Sequence, residues 1–141
     1  MTLDRERMVD KTGYITEQVT ALRKLMGQGD DRTVLNDAWV LRGVKYSLQT
    51  AIEACIDLAY HVCTKAFGHA PRDARDAMRR LAEAGVISGE DLNKYSAMID
   101  LRNRMVRGYQ DVSTEQISWI IAEDLDDLLR FSDRVLRRVS G

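Results

Sequence analysis

The chain has 141 residues, 45% hydrophobic and 30% charged, with a formal net charge of -1. That length and balance describe one globular domain, residues 1–141, with a single core, and they exclude a disordered or fibrous chain. A net charge so near zero excludes a uniformly basic nucleic-acid coat, so any RNA contact has to be local.

Taken along the chain, the apolar spacing predicts five helices and no strands. Met8, Ile15, Val19, Leu22 and Met26 recur at helical intervals from about residue 3 to 26, and Gly27-Gln28-Gly29-Asp30 breaks the pattern. From Thr33 to about Phe67 the apolar positions Ala38, Leu41, Val44, Leu48, Ala51, Ile52, Cys55, Ile56, Ala59, Val62 and Ala66 imply one helix. At the helical rise it would be about 50 Å long. Gly68-His69-Ala70-Pro71 is a loop with the only proline, near the start of a short third helix that holds Ala74, Met78 and Leu81 and stops at Gly85. Ser88, with Asp91 three residues on, caps a fourth helix that runs toward Tyr109 and is loosened by Gly108. Ser113 or Thr114 caps a fifth, marked by Ile117, Ile120, Ile121, Leu125, Leu128, Leu129, Val135 and Leu136.

Long helices with short connections make an all-α, up-and-down antiparallel bundle, with the third helix as a side element. Part of such long apolar stripes needs cover from outside the chain, so a two-fold homodimer is expected. Cys55 and Cys63 stand two turns apart on one helix, too far to bridge, and read as reduced core thiols. There is no leader pattern, and no apolar run approaches the roughly 20 residues needed to span a bilayer. A cytoplasmic protein without membrane contact is therefore expected.

The segment that departs from this pattern is Leu101-Arg-Asn-Arg-Met-Val-Arg-Gly-Tyr-Gln-Asp-Val112. Leu92, Tyr95, Ile99 and Val106 define the apolar stripe of the fourth helix, and Arg102 and Asn103 fall within roughly 50° of its centre. The segment resembles the motif of HEPN-domain ribonuclease toxins of the HepT type: Arg-Asn, three residues, His, one residue, Tyr. Arg102, Asn103 and Tyr109 match, and the His position is Arg107. The resemblance extends to Leu81-Ala82-Glu83-Ala84-Gly85-Val86-Ile87 and to Gln49-Thr50-Ala51-Ile52-Glu53-Ala54.

The resemblance implies the toxin of a type VII-like toxin–antitoxin system, a metal-independent endoribonuclease without cofactor whose two protomers bring their motifs together across a cleft. Cleavage by the RNA's own 2'-hydroxyl needs a base, an acid for the leaving oxygen, and a cation against the developing phosphorane charge. By position, Arg102 is then the phosphate clamp and Asn103 an orienting hydrogen-bonder. Arg107 stays protonated and cannot exchange protons as histidine does, so this chain is expected to bind RNA weakly if at all and to cleave it poorly. A one-base codon change converts His to Arg, and we read Arg107 as a substitution of a natural His, with a natural Arg as the alternative. The resemblance further implies that an MntA-like nucleotidyltransferase antitoxin transfers AMP from ATP to Tyr109, placing anionic phosphate where RNA phosphate would sit.

Plainer readings stand beside these. Arg102 and Asn103 could be a buried structural pair held by Asp100 or Glu53, and Tyr109 a packing aromatic. A naturally inert HEPN dimer that binds RNA, a nucleotide or a partner, or a structural bundle, are the other functional classes. His61 and His69 lack metal-ligand spacing, and His61 reads as a surface or interface residue. Arg130, Arg134, Arg137 and Arg138 read as a solvated face, and Trp39 and Trp119 as core or interface anchors.

Overall fold

Short polar side chains placed just ahead of each apolar run decide where the helices start. In the computed structural model, which describes residues 4–29, 31–108 and 112–140, seven helices and no strand are found among the described residues. They are α1 (Arg5–Met26), α2 (Asp31–Leu35), α3 (Ala38–Ala66), α4 (Ala74–Glu83), α5 (Gly89–Arg107), α6 (Thr114–Glu123) and α7 (Leu125–Ser140). The all-α reading stands, but two of the five expected helices are divided. Asp37 accepts the amide protons of Trp39 at 2.9 Å and Val40 at 3.2 Å, which ends α2 and starts α3. Asp124 closes α6, its N–H donating to Ile120 O at 2.7 Å, before α7 begins. The other boundaries follow expected signals. Ser88 caps α5 through the Asp91 N–H, Ser113 and Gln116 form a reciprocal capping box on α6, and Gly85 turns the chain after α4 at φ 77°.

Cross-helix contacts fix the directions. Asp4, Lys11 and Tyr14 of the α1 end meet His61, Asp57 and Thr50 of α3 in turn, so these two helices run antiparallel. Asp91 and Lys94 of α5 meet Arg134 and Asp127 of α7, so that pair is antiparallel as well. Between the helices lies one core holding Ile15, Leu48, Leu58, Leu81, Met105, Ile117 and Phe131, with Tyr95 edge-on to Phe131 at 5.0 Å. Cys55 and Cys63 are free and buried as expected, and Cys63 donates to the Ala77 carbonyl at 3.5 Å, tying α3 to α4. No helix among the described residues is long and apolar enough to cross a membrane.

Four side-chain expectations are corrected. Val106 is 59% exposed, because the buried face of α5 turns through Met98, Leu101 and Met105 to meet several neighbours. Trp39 and Trp119 are not core anchors, being 76% and 61% exposed. His61 is buried, its Nε2 accepting the Asp4 N–H at 3.0 Å. Arg130 and Arg134 are not a solvated face: they pair with Asp91, and Arg130 also with Asp127, both carboxylates being buried. Arg137, paired with Asp133 at 3.1 Å and 81% exposed, does lie on a solvated face.

Because the Asp91 carboxylate is buried and binds two guanidinium groups, Asp91→Ala should lower the stability measured by urea denaturation by about 1.5–3 kcal/mol. Arg137→Ala should change it by less than about 0.5 kcal/mol. Burial first, then the nearby Arg7 charge, pulls the His61 pKa below the usual histidine value. A histidine with a depressed folded-state pKa contributes stability that is present above about pH 6.5 and is lost as the pH falls through the folded value. The melting temperature should therefore drop on acidification below about pH 6.5, and less steeply in His61→Gln.

Candidate active site

An arginine beside an apolar helix face has to find either a counter-charge or an opening. On α5, Arg102 and Asn103 are half-buried and follow the buried Ile99 and Leu101. They face the junction with α3 and α4, where a cavity of about 480 Å³ opens. Ile56, Tyr60, Ala74 and Ile99 contribute apolar groups to its lining, and Arg72, Asp73 and Arg75, at the start of α4, contribute charged ones. Among the described residues, the buried Nε of Arg102 has no hydrogen-bond partner. The Tyr60 phenol is pushed above its ordinary pKa by burial and then by the Asp73 charge, with Arg102 opposing the rise.

The carboxylates around the cavity are committed elsewhere. Asp100 pairs with Arg75, and Glu53 accepts from Gln49 at 3.0 Å, so the buried structural pair envisaged for Arg102 does not form with either one. Asp73 caps α4 by accepting the Asp76 N–H at 2.8 Å. Asp76 is itself buried and gathers Arg72, Arg79 and Arg80. The Arg72 backbone N–H and then the Arg79 guanidinium hold its carboxyl well below the usual carboxylate range, against the opposing effect of burial. The start of α4 is thus a rigid shelf of arginines around one buried anion.

Of the four motif residues, the structure brings Arg102 and Asn103 together in the cavity and leaves Arg107 outside its lining. Arg107 is the last residue of α5 and is exposed, its Nε directed at its own helix, 3.4 Å from the Asn103 carbonyl oxygen. The helix ends there, two residues short of the expected Tyr109. Gly108 is extended, and Tyr109 lies outside the described residues. A larger hollow of about 610 Å³ lies between α3, α5, α6 and α7, with Met98, Leu101, Trp119 and Ile120 in its wall and none of Arg102, Asn103 and Arg107 among its described lining residues.

Sequence reasoning missed Tyr60, Arg72 and Arg75. A signal for the arginines was present, since Arg72, Arg75 and Arg79 recur at three- and four-residue intervals after Pro71. Nothing in the spacing distinguished Tyr60 from a packing residue.

The family model described as Ribonuclease HepT-like matches residues 15–135. A Shewanella oneidensis protein named mRNA nuclease HepT is 25% identical over 126 residues, which is 89% of this chain and 93% of that protein. A crystal structure of a toxin–antitoxin with AMP-PNP superposes with a TM-score of 0.82 at 24% identity, covering 92% of this chain and 97% of the other. A re-refined structure of a tri-AMPylated Shewanella oneidensis HEPN toxin in complex with MNT antitoxin gives 0.82 at 25% identity, covering 92% and 96%.

Since the Arg107 side chain is exposed and lies outside the cavity, Arg107→His should fold normally. Its unfolding free energy should lie within about 0.5 kcal/mol of the parent by urea denaturation.

Proposed function

The chain belongs to the HepT-like ribonuclease family, and from that premise we propose that it is the toxin of a toxin–antitoxin pair, a single-domain, metal-independent endoribonuclease acting as a two-fold homodimer. The observation that carries this reading is Arg102: a guanidinium whose buried Nε has no partner among the described residues, beside Asn103, at the rim of a cavity whose nearby described carboxylates are engaged by other residues. Such a fork is suited to a phosphate, which accepts two donors at once.

In the proposed reaction the 2'-oxygen of RNA attacks the adjacent phosphorus and the bond to the 5'-oxygen breaks, leaving a cyclic phosphate and a free hydroxyl. Arg102 balances the charge gathering on the phosphorane, and the Asn103 amide orients the non-bridging oxygens. Proton removal and delivery would fall to a histidine at position 107; Arg107 cannot exchange protons, so in this chain solvent water has to take the 2'-hydroxyl proton and to protonate the leaving 5'-oxygen. Losing a general acid or base typically lowers the rate by about 10² to 10⁴, so this chain is a weak nuclease.

Regulation is proposed to pass through a nucleotidyltransferase antitoxin that transfers AMP to Tyr109. The support is the match of Tyr109 to the motif tyrosine in sequence, two residues after Arg107, and the AMPylated state of the Shewanella toxin that this chain resembles. The exposed Trp39, Tyr46 and Trp119 supply apolar surface of the kind a second protomer covers.

Cleavage of total cellular RNA in the presence of EDTA, by the purified chain and by Arg107→His, tests this reading. The variant should cut at least about 10²-fold faster than the parent. Absence of cleavage by both folded proteins would contradict the nuclease reading and leave an inert binding dimer.

A further inference from the structure

We infer that the cavity between α3, α4 and α5 is an RNA subsite that seats the nucleotide next to the cleaved bond, with its base against Tyr60 and the following phosphate on Arg72 and Arg75. This rests on the ribonuclease reading and extends it from the motif on α5 to two helices outside the motif.

Size, wall chemistry and charge point to the same occupant. A volume of about 480 Å³ lies within the roughly 300–1,000 Å³ typical of pockets for small organic groups. Ile56 and Ile99 are 6% and 2% exposed, so with Tyr60 they make an apolar wall with one aromatic ring. Single-stranded nucleic acid is held by this combination, a ring for the base face beside cations for the backbone, because every base has a π face. The rim supplies the cations. Arg102 shares the lining with Arg72 and Arg75, whose side chains are 74% and 54% exposed.

The groove also continues. A second hollow of about 300 Å³ shares Arg72, Asp73 and Arg75 with the first and adds Arg79, Asn93 and Ser96, so donors extend along the α4–α5 seam away from Arg102. Of the carboxylates that offset these arginines, Asp76 is buried, while the exposed Asp73 caps α4 and the exposed Asp100 is bound to Arg75. Arg72, Arg75, Arg79 and Arg102 outnumber Asp73, Asp76 and Asp100, so the seam keeps a small positive excess through which a chain of net charge -1 can hold a polyanion locally. Arg72 and Arg75 lie at the solvent edge and can trade a carboxylate for a phosphate at little cost, as exposed ion pairs are weak.

The test is fluorescence anisotropy with a labelled single-stranded RNA of about ten nucleotides, measured from about 50 to 200 mM salt, the range over which phosphate binding shows. The intact chain is used, since its poor cleavage leaves the probe whole. Replacing both arginines (Arg72→Gln with Arg75→Gln) should weaken binding at least about 5-fold and lower the slope of log K against log salt by about 1.4, close to 0.7 for each phosphate that is no longer neutralised. Tyr60→Leu, which keeps bulk and removes the ring, should weaken binding about 10-fold with the slope unchanged, while Tyr60→Phe binds like the parent. Arg137→Gln, remote on α7, should bind like the parent. If the parent binds RNA and the arginine pair and Tyr60→Leu bind equally well with equal slopes, the subsite is overturned and the nuclease reading stands. No binding by the parent at the lowest salt would overturn both.

Discussion

A guanidinium partly withdrawn from water needs compensation, and the arrangement of the α3–α4–α5 corner follows from how that is met for Arg102. Nearby carboxylates could have supplied it, yet each is taken: Asp100 by Arg75, Asp76 by three arginines of its own segment, Glu53 by Gln49. Asp73, which shares the cavity, is used as the α4 cap. The buried Nε of Arg102 thus keeps its donor unmatched among the described residues. An unmatched buried donor is costly in a resting fold; Arg80 and Arg130 also have an unmatched buried Nε, but of the three only Arg102 lines the cavity.

The rest of the bundle holds that corner still. α4 is a short helix whose buried Ala74, Ala77, Met78 and Leu81 pack into the core, with the Cys63 bond to Ala77 tying it to α3 and the Asp76 cluster bracing its own first turn. α5, which carries Arg102 and Asn103, is anchored at its other end by Asp91 in the grip of Arg130 and Arg134 on α7. Ion pairs of this buried kind add little net stability compared with apolar packing; together with the buried Tyr95, Met98, Ile99, Leu101 and Met105 they join α5 to its neighbours.

Much of this was legible from residue order, and what was not has physical reasons. Caps and the α4 stop could be read because Ser88, Ser113 and Gly85 act locally, through one hydroxyl or one backbone angle. The breaks at Asp37 and Asp124 were hidden because the apolar spacing continues through them, and an aspartate inside a periodic run looks like a solvated position until its carboxylate or backbone is seen capping a turn. Exposure of Trp39 and Trp119 was illegible because periodicity names a stripe without saying whether this chain or another covers it. At the site, Arg102 and Asn103 could be found from their conflict with an apolar face, whereas Tyr60, Arg72 and Arg75 join them only through the way α3 and α4 meet α5. The separation of Arg107 from that cavity could not be read from spacing either, because it depends on α5 ending at Arg107.

The central claim is that Arg102 is held open for a phosphate. The most direct measurement is a crystal structure of the chain with a short RNA carrying 2'-deoxyribose at the cleavage position, which removes the attacking hydroxyl and keeps the strand intact. The account predicts a phosphate oxygen within hydrogen-bond distance of the Arg102 guanidinium. A strand bound elsewhere, with Arg102 turned inward onto a carboxylate, would contradict it.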